Sequence, residues 1–524
     1  MLGKRENMIA TIANPDIVWD MVVIGGGATG LGIALDAASR GFKTLLLEQA
    51  DFAKGTSSRS TKLVHGGVRY LAQGNIALVR EALKERGLLK KNAAHLVKNE
   101  RFIIPIYDWW SGLVYTVGLT LYDLLAGALS FGRSYPISKK QTIDRLPTLQ
   151  SKNLKGGVVY HDGQFDDARL AINLAQTCLE QGATLLNYFK VVGLLKKEGK
   201  ICGVTVKDKI NCKIYTIKSQ VVINATGVFV DDIIQMDEPA KKPLVKSSQG
   251  IHIVLDKSFL PGLDAIMIPK TEDGRVLFIV PWHDKLLIGT TDTPLNSHSL
   301  EPTPLEEELS FVIRTAGKYL NKVPLRKDVK SIFAGLRPLA APKEGSLKTK
   351  EISRSHKIMV SASGLITITG GKWTTYRLMA EDTVDKAIKI ANLPKLKCVT
   401  KHLPIHGNKV VTDFSDHLNI YGTDKEAVLN LLNENTAWGE KLHARLPYLK
   451  AEVIWAVRNE LALNIEDVLA RRLRALFLDA RAAIDMAPTV ANLMAMELNM
   501  DKNWEDIQVT DFIHLAQGYL LMGS

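Results

Sequence analysis

Cysteine is scarce in this sequence, and its spacing excludes two kinds of site. The chain has 524 residues and four cysteines, Cys178, Cys202, Cys212 and Cys398, none of them in a CxxC pair. An iron–sulfur cluster or a disulfide framework needs numerous or closely spaced cysteines, so we expect neither. We expect a reducing compartment and no bound metal ion.

Targeting signals and nucleic-acid patterns are missing as well. The first 18 residues lack the apolar core of a signal peptide, and no Arg/Ser-rich transit peptide is evident, so we expect a cytosolic or cytosol-facing protein. Lys and Arg number 67 against 55 Asp and Glu, a net charge of +12, but no basic repeat is interleaved with aromatics. Nucleic acid is therefore disfavoured. The charge fits an anionic substrate, an anionic membrane surface, or ordinary solvated lysines.

What is present begins with a nucleotide-binding fingerprint. Residues 21–24 form a short apolar run typical of a buried parallel strand, and a turn with Gly25, Gly27 and Gly30 follows before a helical segment. Gly25 permits the turn, Gly27 admits a pyrophosphate, and Gly30 lets the helix pack on the strand. Glu48, at the end of the next strand-like run, is placed for the adenosine ribose. These residues predict a bound dinucleotide and leave FAD and NAD open.

Hydroxyl-rich and glycine-rich segments recur farther along the chain. Residues 56–70 are rich in Ser and Thr and contain a His-Gly-Gly turn, and residues 221–227 form a strand that ends in small residues. Residues 365–377 again have the pattern of a strand, a double glycine and a helix. Backbone and hydroxyl groups in such segments can donate hydrogen bonds to a cofactor. Each segment taken alone is equally typical of a polar loop or turn.

One apolar stretch is long enough to cross a bilayer. Residues 109–122 carry no charge, and residues 124–131 continue the apolar run after Asp123. The carboxylate disfavours a transmembrane helix, because placing it at the bilayer centre costs roughly 2.5–3.5 kcal/mol. We therefore expect an interfacial segment or a buried core helix.

Taken together, the motifs resemble the FAD-dependent glycerol-3-phosphate dehydrogenases, a membrane-associated family that reduces quinone. The resemblance follows the family's order over almost the whole chain. The matching stretches are Ile24-Gly-Gly-Gly-Ala-Thr-Gly30, residues 56–70, 162–169, 224–227, 289–292, 335–338 and 370–377, and Arg471-Arg-Leu-Arg474. No EF-hand calcium loop is present, so the chain looks like the bacterial form rather than the longer mitochondrial one.

The resemblance implies an α/β fold with three parts. These are a glutathione-reductase-type FAD-binding Rossmann domain, an inserted antiparallel-sheet substrate domain, and an α-helical C-terminal domain. We place the oxidoreductase unit at residues 1–402 and the helical domain at 403–524, with helices at 424–433 and 451–478. The FAD-binding parts are placed at about 16–106, 150–245 and 350–395, and the substrate insertion at about 246–349.

The resemblance also assigns the residues of the site. The catalytic residues are His252, Arg337, Arg354, Lys372, Arg69 and Tyr70, of which Arg69 and Lys372 bind the anion or lie near the flavin. The cofactor-binding residues are Gly25, Gly27, Gly30, Glu48, Thr56, Ser57, Ser58, Ser60, Thr61, Lys62, His65, Gly66, Ala225, Gly227, Asp292, Gly370, Gly371, Thr374 and Thr375. Since no cysteine or histidine is placed as a linkage site, noncovalent FAD is expected.

The chemistry implied is oxidation of sn-glycerol 3-phosphate to dihydroxyacetone phosphate. Arg337 and Arg354 would bind the phosphate, because a planar guanidinium makes two charge-assisted hydrogen bonds. His252 is the candidate acceptor of the C2 hydroxyl proton, since its pKa lies near working pH, and Arg337 is the competing electrostatic partner. Gly370–Gly371 would open a helix whose N-terminus faces the flavin, and Lys372 would add positive charge there.

The electron acceptor and the assembly stay open. The resemblance implies a membrane quinone, which would place the protein at the cytoplasmic face of the bacterial inner membrane as a peripheral protein. The nearest alternative is a glycerol-3-phosphate oxidase, which passes the same electrons to oxygen. An NAD-linked dehydrogenase and a non-catalytic flavoprotein are more distant alternatives. The sequence does not fix the oligomeric state, and a homodimer is one of the options.

Overall fold

Helices and strands alternate up to residue 390, and helices dominate after residue 416. The computed structural model describes residues 2–72, 74–272, 274–340 and 356–521; Arg354 and the side chain of Arg69 lie outside this description. The α-helices are α1 (Leu2–Ala13), α2 (Ala28–Ser39), α3 (Val68–Ala72), α4 (Ile76–Asn92), α5 (Trp109–Ala126), α6 (Lys139–Arg145), α7 (Asp167–Glu180), α8 (Val230–Asp237), α9 (Glu306–Tyr319), α10 (Tyr376–Ile390), α11 (Lys425–Asn430), α12 (Lys450–Asn459), α13 (Ala475–Leu478), α14 (Ala480–Leu498) and α15 (Lys502–Gln517). The strands are β1 (Val18–Ile24), β2 (Thr44–Leu47), β3 (Leu63–Val64), β4 (Val97–Ile106), β5 (Tyr135–Ser138), β6 (Gly156–Phe165), β7 (Thr184–Leu186), β8 (Phe189–Lys197), β9 (Lys200–Asp208), β10 (Ile214–Asn224), β11 (Val245–Asp256), β12 (Ala265–Ile268), β13 (Leu277–Trp282), β14 (Lys285–Gly289), β15 (Thr293–Leu295), β16 (Ser331–Ala340), β17 (Lys357–Val360) and β18 (Ile366–Thr369).

The first sheet has the parallel centre that the glycine fingerprint predicts. Its main order is β17-β18-β10-β1-β2-β7, in which β18, β10, β1, β2 and β7 are parallel, and β9 and β8 extend it beside the first half of β10. Met21 and Val23 of β1 pack with α2, α7 and α10, whereas Val22 and Ile24 face α1, β8 and β9. Because both faces are covered, every residue of this run must be apolar. The prediction of a buried parallel strand at residues 21–24 is confirmed.

The second sheet is mostly antiparallel and extends beyond residues 246–349. Its main order is β15-β11-β14-β13-β12-β4-β6-β3, with β16 paired to β11 and β5 to β6. Four of these strands, β3, β4, β5 and β6, come from residues 63–165, most of which fall in the predicted FAD-binding parts. Strand partners are chosen by packing against distant segments, so local sequence does not reveal which sheet a strand joins.

The C-terminal residues form a helical unit that packs on the second sheet. Its core continues onto Val254, Trp282 and Phe333 of that sheet. Helix was expected throughout residues 451–478, but α12 ends at Asn459 and a π-helical turn follows at Asp467–Arg472. The helix breaks because Leu461 has a φ of +56°, and because Asp467 accepts hydrogen bonds from the backbone N–H groups of residues 463 and 464, at 2.8 and 3.1 Å.

Candidate active site

The glycine turn between β1 and α2 forms a cradle that side chains would block. Gly25 has a φ of +109°, and a Cβ there would lie 2.7 Å from the carbonyl oxygen of Ala225. A Cβ at Gly30 would lie 1.8 Å from the carbonyl oxygen of Gly25. Gly27 precedes α2, so the N–H groups of the first helical turn, which have no acceptor within the helix, lie at the turn. This geometry fits the pyrophosphate of a dinucleotide.

A cavity of about 540 Å³ lies in front of this cradle. It is lined by residues that follow β1, β2, β10 and β18, the edge where open parallel sheets bind ligands. The predicted cofactor residues that line it are Gly25, Gly27, Glu48, Thr56, Ser57, Ser60, Thr61, His65, Ala225, Gly227, Gly370, Gly371 and Thr374. Segments far apart in the chain therefore meet around one space large enough for part of a dinucleotide.

Glu48 is fixed in the wall of this large cavity. Its carboxylate accepts hydrogen bonds from the backbone N–H groups of Gly26 at 2.6 Å and Ala50 at 2.9 Å. Burial raises the pKa of this carboxyl group, while these two backbone hydrogen bonds act in the opposite direction. The two donors hold the carboxylate in one orientation, in which its remaining lone pairs can accept from a ribose hydroxyl.

Several predicted cofactor residues do not line the large cavity. They are Gly30, which supports the turn, and Ser58, Lys62, Gly66, Asp292 and Thr375. Lys62 points away from the cavity, because its fully buried ammonium donates to the Ser58 carbonyl oxygen and to Asp167 Oδ2, both at 2.8 Å. Burial lowers the pKa of Lys62 to about 7, although the Asp167 carboxylate raises it. Its side chain thus serves a buried polar cluster beneath the cavity wall. The backbone N–H of Gly66 is likewise occupied, by the Tyr122 hydroxyl at 2.7 Å.

A smaller cavity of about 230 Å³ adjoins the large one. Thr61, His65 and Arg337 line both, and Tyr70 and Asp292 line the smaller. The Arg337 guanidinium donates to the Thr290 hydroxyl at 3.1 Å and more weakly to Asp292 Oδ1 at 3.4 Å. The guanidinium also donates to the Gln249 carbonyl oxygen at 3.4 Å. The junction of the cavities thus carries a positive charge.

His252 lies on β11 in the wall of the large cavity. Its ring stacks on Phe333 at 5.1 Å between centroids, and Nε2 contacts the Thr61 hydroxyl at 3.0 Å. Burial lowers the pKa of His252 well below its usual value, and the positive charges of Lys62 and Arg337 lower it further. The imidazole is therefore neutral at neutral pH and able to accept a proton. Its pKa does not lie near working pH, however, as the sequence led us to expect, so it is a weaker base than an ordinary histidine.

Gly370 and Gly371 line the cavity without opening a helix directly. Their φ values are +75° and +80°, Lys372 is extended, and α10 begins only at Tyr376 after one 3-10 turn. The expectation that the double glycine starts the helix is corrected, because positive φ values are incompatible with a right-handed helix. Lys372 still projects toward the site: its Nζ lies 4.0 Å from the centre of the Tyr70 ring.

Two arginines at the cavities were not among the predicted residues. Arg59 lines the large cavity and donates to the Ala334 carbonyl oxygen at 3.0 Å and to Glu301 Oε2 at 2.6 Å. Arg275, half-buried, lines the smaller cavity. Arg59 lies within the hydroxyl-rich residues 56–70, and this position was the only sequence feature that could have indicated it as a site residue. Arg275 follows a turn, and no motif marked it.

Known proteins match the chain over nearly its whole length. Residues 20–377 match the family described as FAD dependent oxidoreductase, and residues 398–505 match the C-terminal domain of alpha-glycerophosphate oxidase. The chain is 40% identical to the mitochondrial glycerol-3-phosphate dehydrogenase of Mesocricetus auratus, over 99% of this chain and 76% of that protein. It is 39% identical to a probable mitochondrial glycerol-3-phosphate dehydrogenase of Dictyostelium discoideum, over 99% and 86% of the two chains.

A solved structure gives the same answer for the fold and the cofactor. The glycerol-3-phosphate dehydrogenase from Bacillus halodurans, complexed with FAD, superimposes with a TM-score of 0.80 at 31% identity, covering 98% of this chain and 97% of that one. The predicted fold class and the prediction of FAD are confirmed, and the choice between FAD and NAD that the glycine turn left open is closed. The chain belongs to the family of FAD-dependent glycerol-3-phosphate dehydrogenases.

Proposed function

We propose that this protein oxidises sn-glycerol 3-phosphate to dihydroxyacetone phosphate and passes the electrons to a membrane quinone. Bound FAD supplies the hydride acceptor for C2 of the substrate. One observation carries the proposal: Arg337 stands where the cofactor cavity meets the smaller cavity, with His252 in the same wall. An anion-binding group and a proton acceptor therefore flank one space beside the cofactor.

The phosphate end of the substrate is assigned to basic side chains at this junction. Arg337 presents a fork of N–H donors that matches two phosphate oxygens. Arg354 and Arg69 belong to the same proposed set. Ordinary hydrogen bonds to charged groups contribute about 1.5–3 kcal/mol each, enough to discriminate a phosphorylated polyol from glycerol.

The proton of the C2 hydroxyl is assigned to His252. Its Nε2 contacts the hydroxyl of Thr61, and Thr61 lines both cavities. A proton leaving the substrate can reach Nε2 directly or through that hydroxyl. Arg337 is the competing electrostatic partner, because its positive charge stabilises the alkoxide that forms as the proton departs. In this scheme His252 moves the proton and Arg337 orients the substrate.

The backbone at Gly370–Gly371 and the Lys372 ammonium are assigned to the cofactor. Both glycines line the cavity, and Trp373 ties the segment to the facing wall by donating from Nε1 to the Ser57 carbonyl oxygen at 2.9 Å. A positive charge and backbone donors held in place favour negative charge that develops on the cofactor during hydride transfer. Thr374 and Thr375 continue the segment into α10.

The membrane surface is assigned to α5. Only three of its eighteen residues are buried, and Trp109, Trp110 and Leu124 are 75%, 74% and 72% exposed. Asp123 is half-buried, and its carboxylate accepts a hydrogen bond from the backbone N–H of Ser134 at 2.5 Å. By length and composition, residues 109–129 could span a bilayer. We propose instead that α5 lies in the interface, because Tyr122 ties its inner face to Gly66 and Asp162.

This assignment fits a peripheral protein whose acceptor, a quinone, is dissolved in the bilayer. The cytoplasmic face of the bacterial inner membrane is the location we propose. An anionic lipid surface would add about 1 kcal/mol for each lysine or arginine that approaches it. A homodimer stays a prediction without support from the described residues.

The test is anaerobic reduction of the flavin, followed by its absorbance. Glycerol 3-phosphate should bleach the flavin, whereas glycerol and other polyol phosphates should do so far more slowly. Reoxidation by a soluble quinone without stoichiometric peroxide supports the dehydrogenase. Peroxide as the main product would instead support a glycerol-3-phosphate oxidase, and a flavin that glycerol 3-phosphate leaves oxidised would contradict the proposed substrate.

A further inference from the structure

Three arginines of the C-terminal domain are buried in a position that the proposed chemistry does not use. Arg471, Arg472 and Arg474 follow α12 at and beyond the π-helical turn, and their residues are 2%, 0% and 1% exposed. A guanidinium removed from water must be paired, because an uncompensated buried charge is strongly destabilising. The positions of their partners therefore show which segments of the chain these arginines hold in place.

Two of their partners, Asp51 and Ser58, belong to residues 51–62, a segment in the wall of the large cavity that we name the cofactor loop. Other partners, Glu460, Glu466 and Asp467, lie in the C-terminal domain itself. Arg471 donates from Nε to Asp51 Oδ2 at 2.5 Å. Arg472 donates to the same carboxylate, with Nη2 at 3.1 Å from Oδ1. Arg474 donates to the Ser58 carbonyl oxygen at 2.8 Å and to Asp167 Oδ1 at 3.1 Å. The loop is thus held from the C-terminal domain at two points, Asp51 and Ser58.

The Asp51 carboxylate depends on these arginines. Burial raises the pKa of Asp51, but Arg472 and Arg471 outweigh burial and hold it below its usual range. Asp51 is fully buried and lies three residues after Glu48. Without the arginines its charge would have to be solvated or neutralised, so the loop would leave its present position.

The other side of the cofactor loop faces FAD. Residues 53–57 and 59–61 line the cavity. The Ser57 hydroxyl accepts a hydrogen bond from the backbone N–H of Ala28 at 2.9 Å, at the start of α2, and the Thr56 hydroxyl donates to the Leu336 carbonyl oxygen at 2.6 Å, one residue from Arg337. A displacement of the loop therefore reaches both the pyrophosphate cradle and the substrate end.

We infer that Arg471, Arg472 and Arg474 are positioning residues for FAD: the C-terminal domain forms the support of the cofactor loop, so that docking of this domain and binding of FAD stabilise each other. None of the three side chains lines the cavity. They act through Asp51, Ser58 and Asp167. The inference needs FAD as the cofactor and does not depend on the substrate or on the electron acceptor.

The test measures FAD affinity in the full-length holoenzyme with no substrate present. Holoenzyme is diluted in steps, free flavin is separated by ultrafiltration, and the Kd is calculated from bound and free FAD. Arg471→Met, Arg472→Met and Arg474→Met should each raise the Kd by about 5- to 150-fold, the usual range for coupling between two sites. Arg474→Lys keeps the charge and should recover part of the loss.

Arg458→Met is the matched control within the same domain. Arg458 makes three hydrogen bonds, to Glu497 and Glu434, and none of them reaches the cofactor loop. It should lower the unfolding temperature while leaving the FAD Kd unchanged. Equal Kd values for wild type and folded variants of Arg471, Arg472 and Arg474 would overturn the inference, as would an equal rise in the Arg458 variant.

If the arginine variants do not fold, hydrogen exchange on the wild-type chain tests whether FAD binding and the arginine segment stabilise each other. Coupling is reciprocal, so FAD must stabilise the arginine segment as much as that segment stabilises FAD. Saturation with FAD should slow amide exchange at residues 465–476 and leave the middle of α15 unchanged. No slowing at residues 465–476 contradicts the inference. Either result is independent of whether glycerol 3-phosphate reduces the flavin, so failure here and failure of the proposed substrate are distinguishable.

Discussion

Helices α2 and α5 are both rich in apolar residues and glycine, yet their surroundings are opposite. Ten of the twelve residues of α2 are buried, against three of the eighteen in α5. The first sheet, α7 and α10 cover α2, while α5 packs by one face only, on the second sheet and on α4. Apolar composition therefore does not show what a helix packs against. In α5 most apolar side chains are not covered by any other element within the described residues.

The difference is sharpest at the glycines of the two helices. Gly30 → Val would place side-chain atoms in a space that the Gly25 carbonyl oxygen already occupies, whereas nothing lies within 4 Å of a Cβ built at Gly118 of α5. We expect the α2 variant to lose about 3 kcal/mol or more of stability and to purify without FAD. Gly118→Ala should be neutral or stabilising by up to about 1 kcal/mol. Thermal unfolding and the flavin-to-protein absorbance ratio measure both. A Gly30 variant that retains its FAD would remove the glycine turn from the cofactor site.

His252→Gln tests the proposed proton acceptor in the wall of the large cavity. Removing a positioned proton acceptor lowers kcat by about 10²- to 10⁴-fold. Because burial and nearby positive charge depress the pKa of His252, its neutral form persists at acidic pH. The His252-dependent loss of wild-type kcat should therefore appear only as pH falls well below 6.5, the ordinary histidine value. The same depression means that its contribution to stability is present above that value and is lost as pH falls. A variant with nearly unchanged kcat would leave Arg337 as the better candidate.

Arg337→Ala should have a smaller effect, confined to substrate use. Losing a hydrogen bond to a charged group costs about 1.5–3 kcal/mol, which is roughly 10- to 150-fold in kcat/KM. FAD should stay bound, because Arg337 lies where the two cavities meet and not at the glycine turn. Arg354→Ala is predicted to behave in the same way. Arg314→Ala, an exposed arginine of α9, is the control. Wild-type kinetics in both the Arg337 and Arg354 variants would exclude them from the site.

The cofactor cradle could be predicted from sequence because its geometry needs a particular residue. Only glycine fits at position 25, because its φ is positive and a Cβ there would lie under 3 Å from a backbone oxygen. The presence of glycine in the sequence therefore indicates this turn. Lys62 is the opposite case. It was grouped with the cofactor residues around it, but its direction depends on Asp167 and on Arg474, which lies more than 400 residues away. Burial and charge pairing of this kind arise only when distant segments meet, as do the contributions of β3, β4, β5 and β6 to the second sheet.

The exposed face of α5 gives the last prediction, with the smallest expected effect on turnover. Trp109→Ser combined with Trp110→Ser should weaken binding to lipid vesicles while sparing activity with a soluble dye, because neither side chain is buried in a core. Each apolar side chain withdrawn from water contributes roughly 1.5–3 kcal/mol, so the pair should dominate the apolar part of membrane binding. Salt should release the part of the bound protein held by charge, and detergent the rest. Val410→Ser with Met496→Ser, which also removes two exposed apolar side chains, is the matched control and should leave vesicle binding unchanged. If α5 were instead an internal support of the active site, the tryptophan variant would lose activity together with stability. An active, folded variant that still binds vesicles like the wild type would mean that lipid does not cover α5. The exposed apolar face of α5 would then require a partner other than lipid.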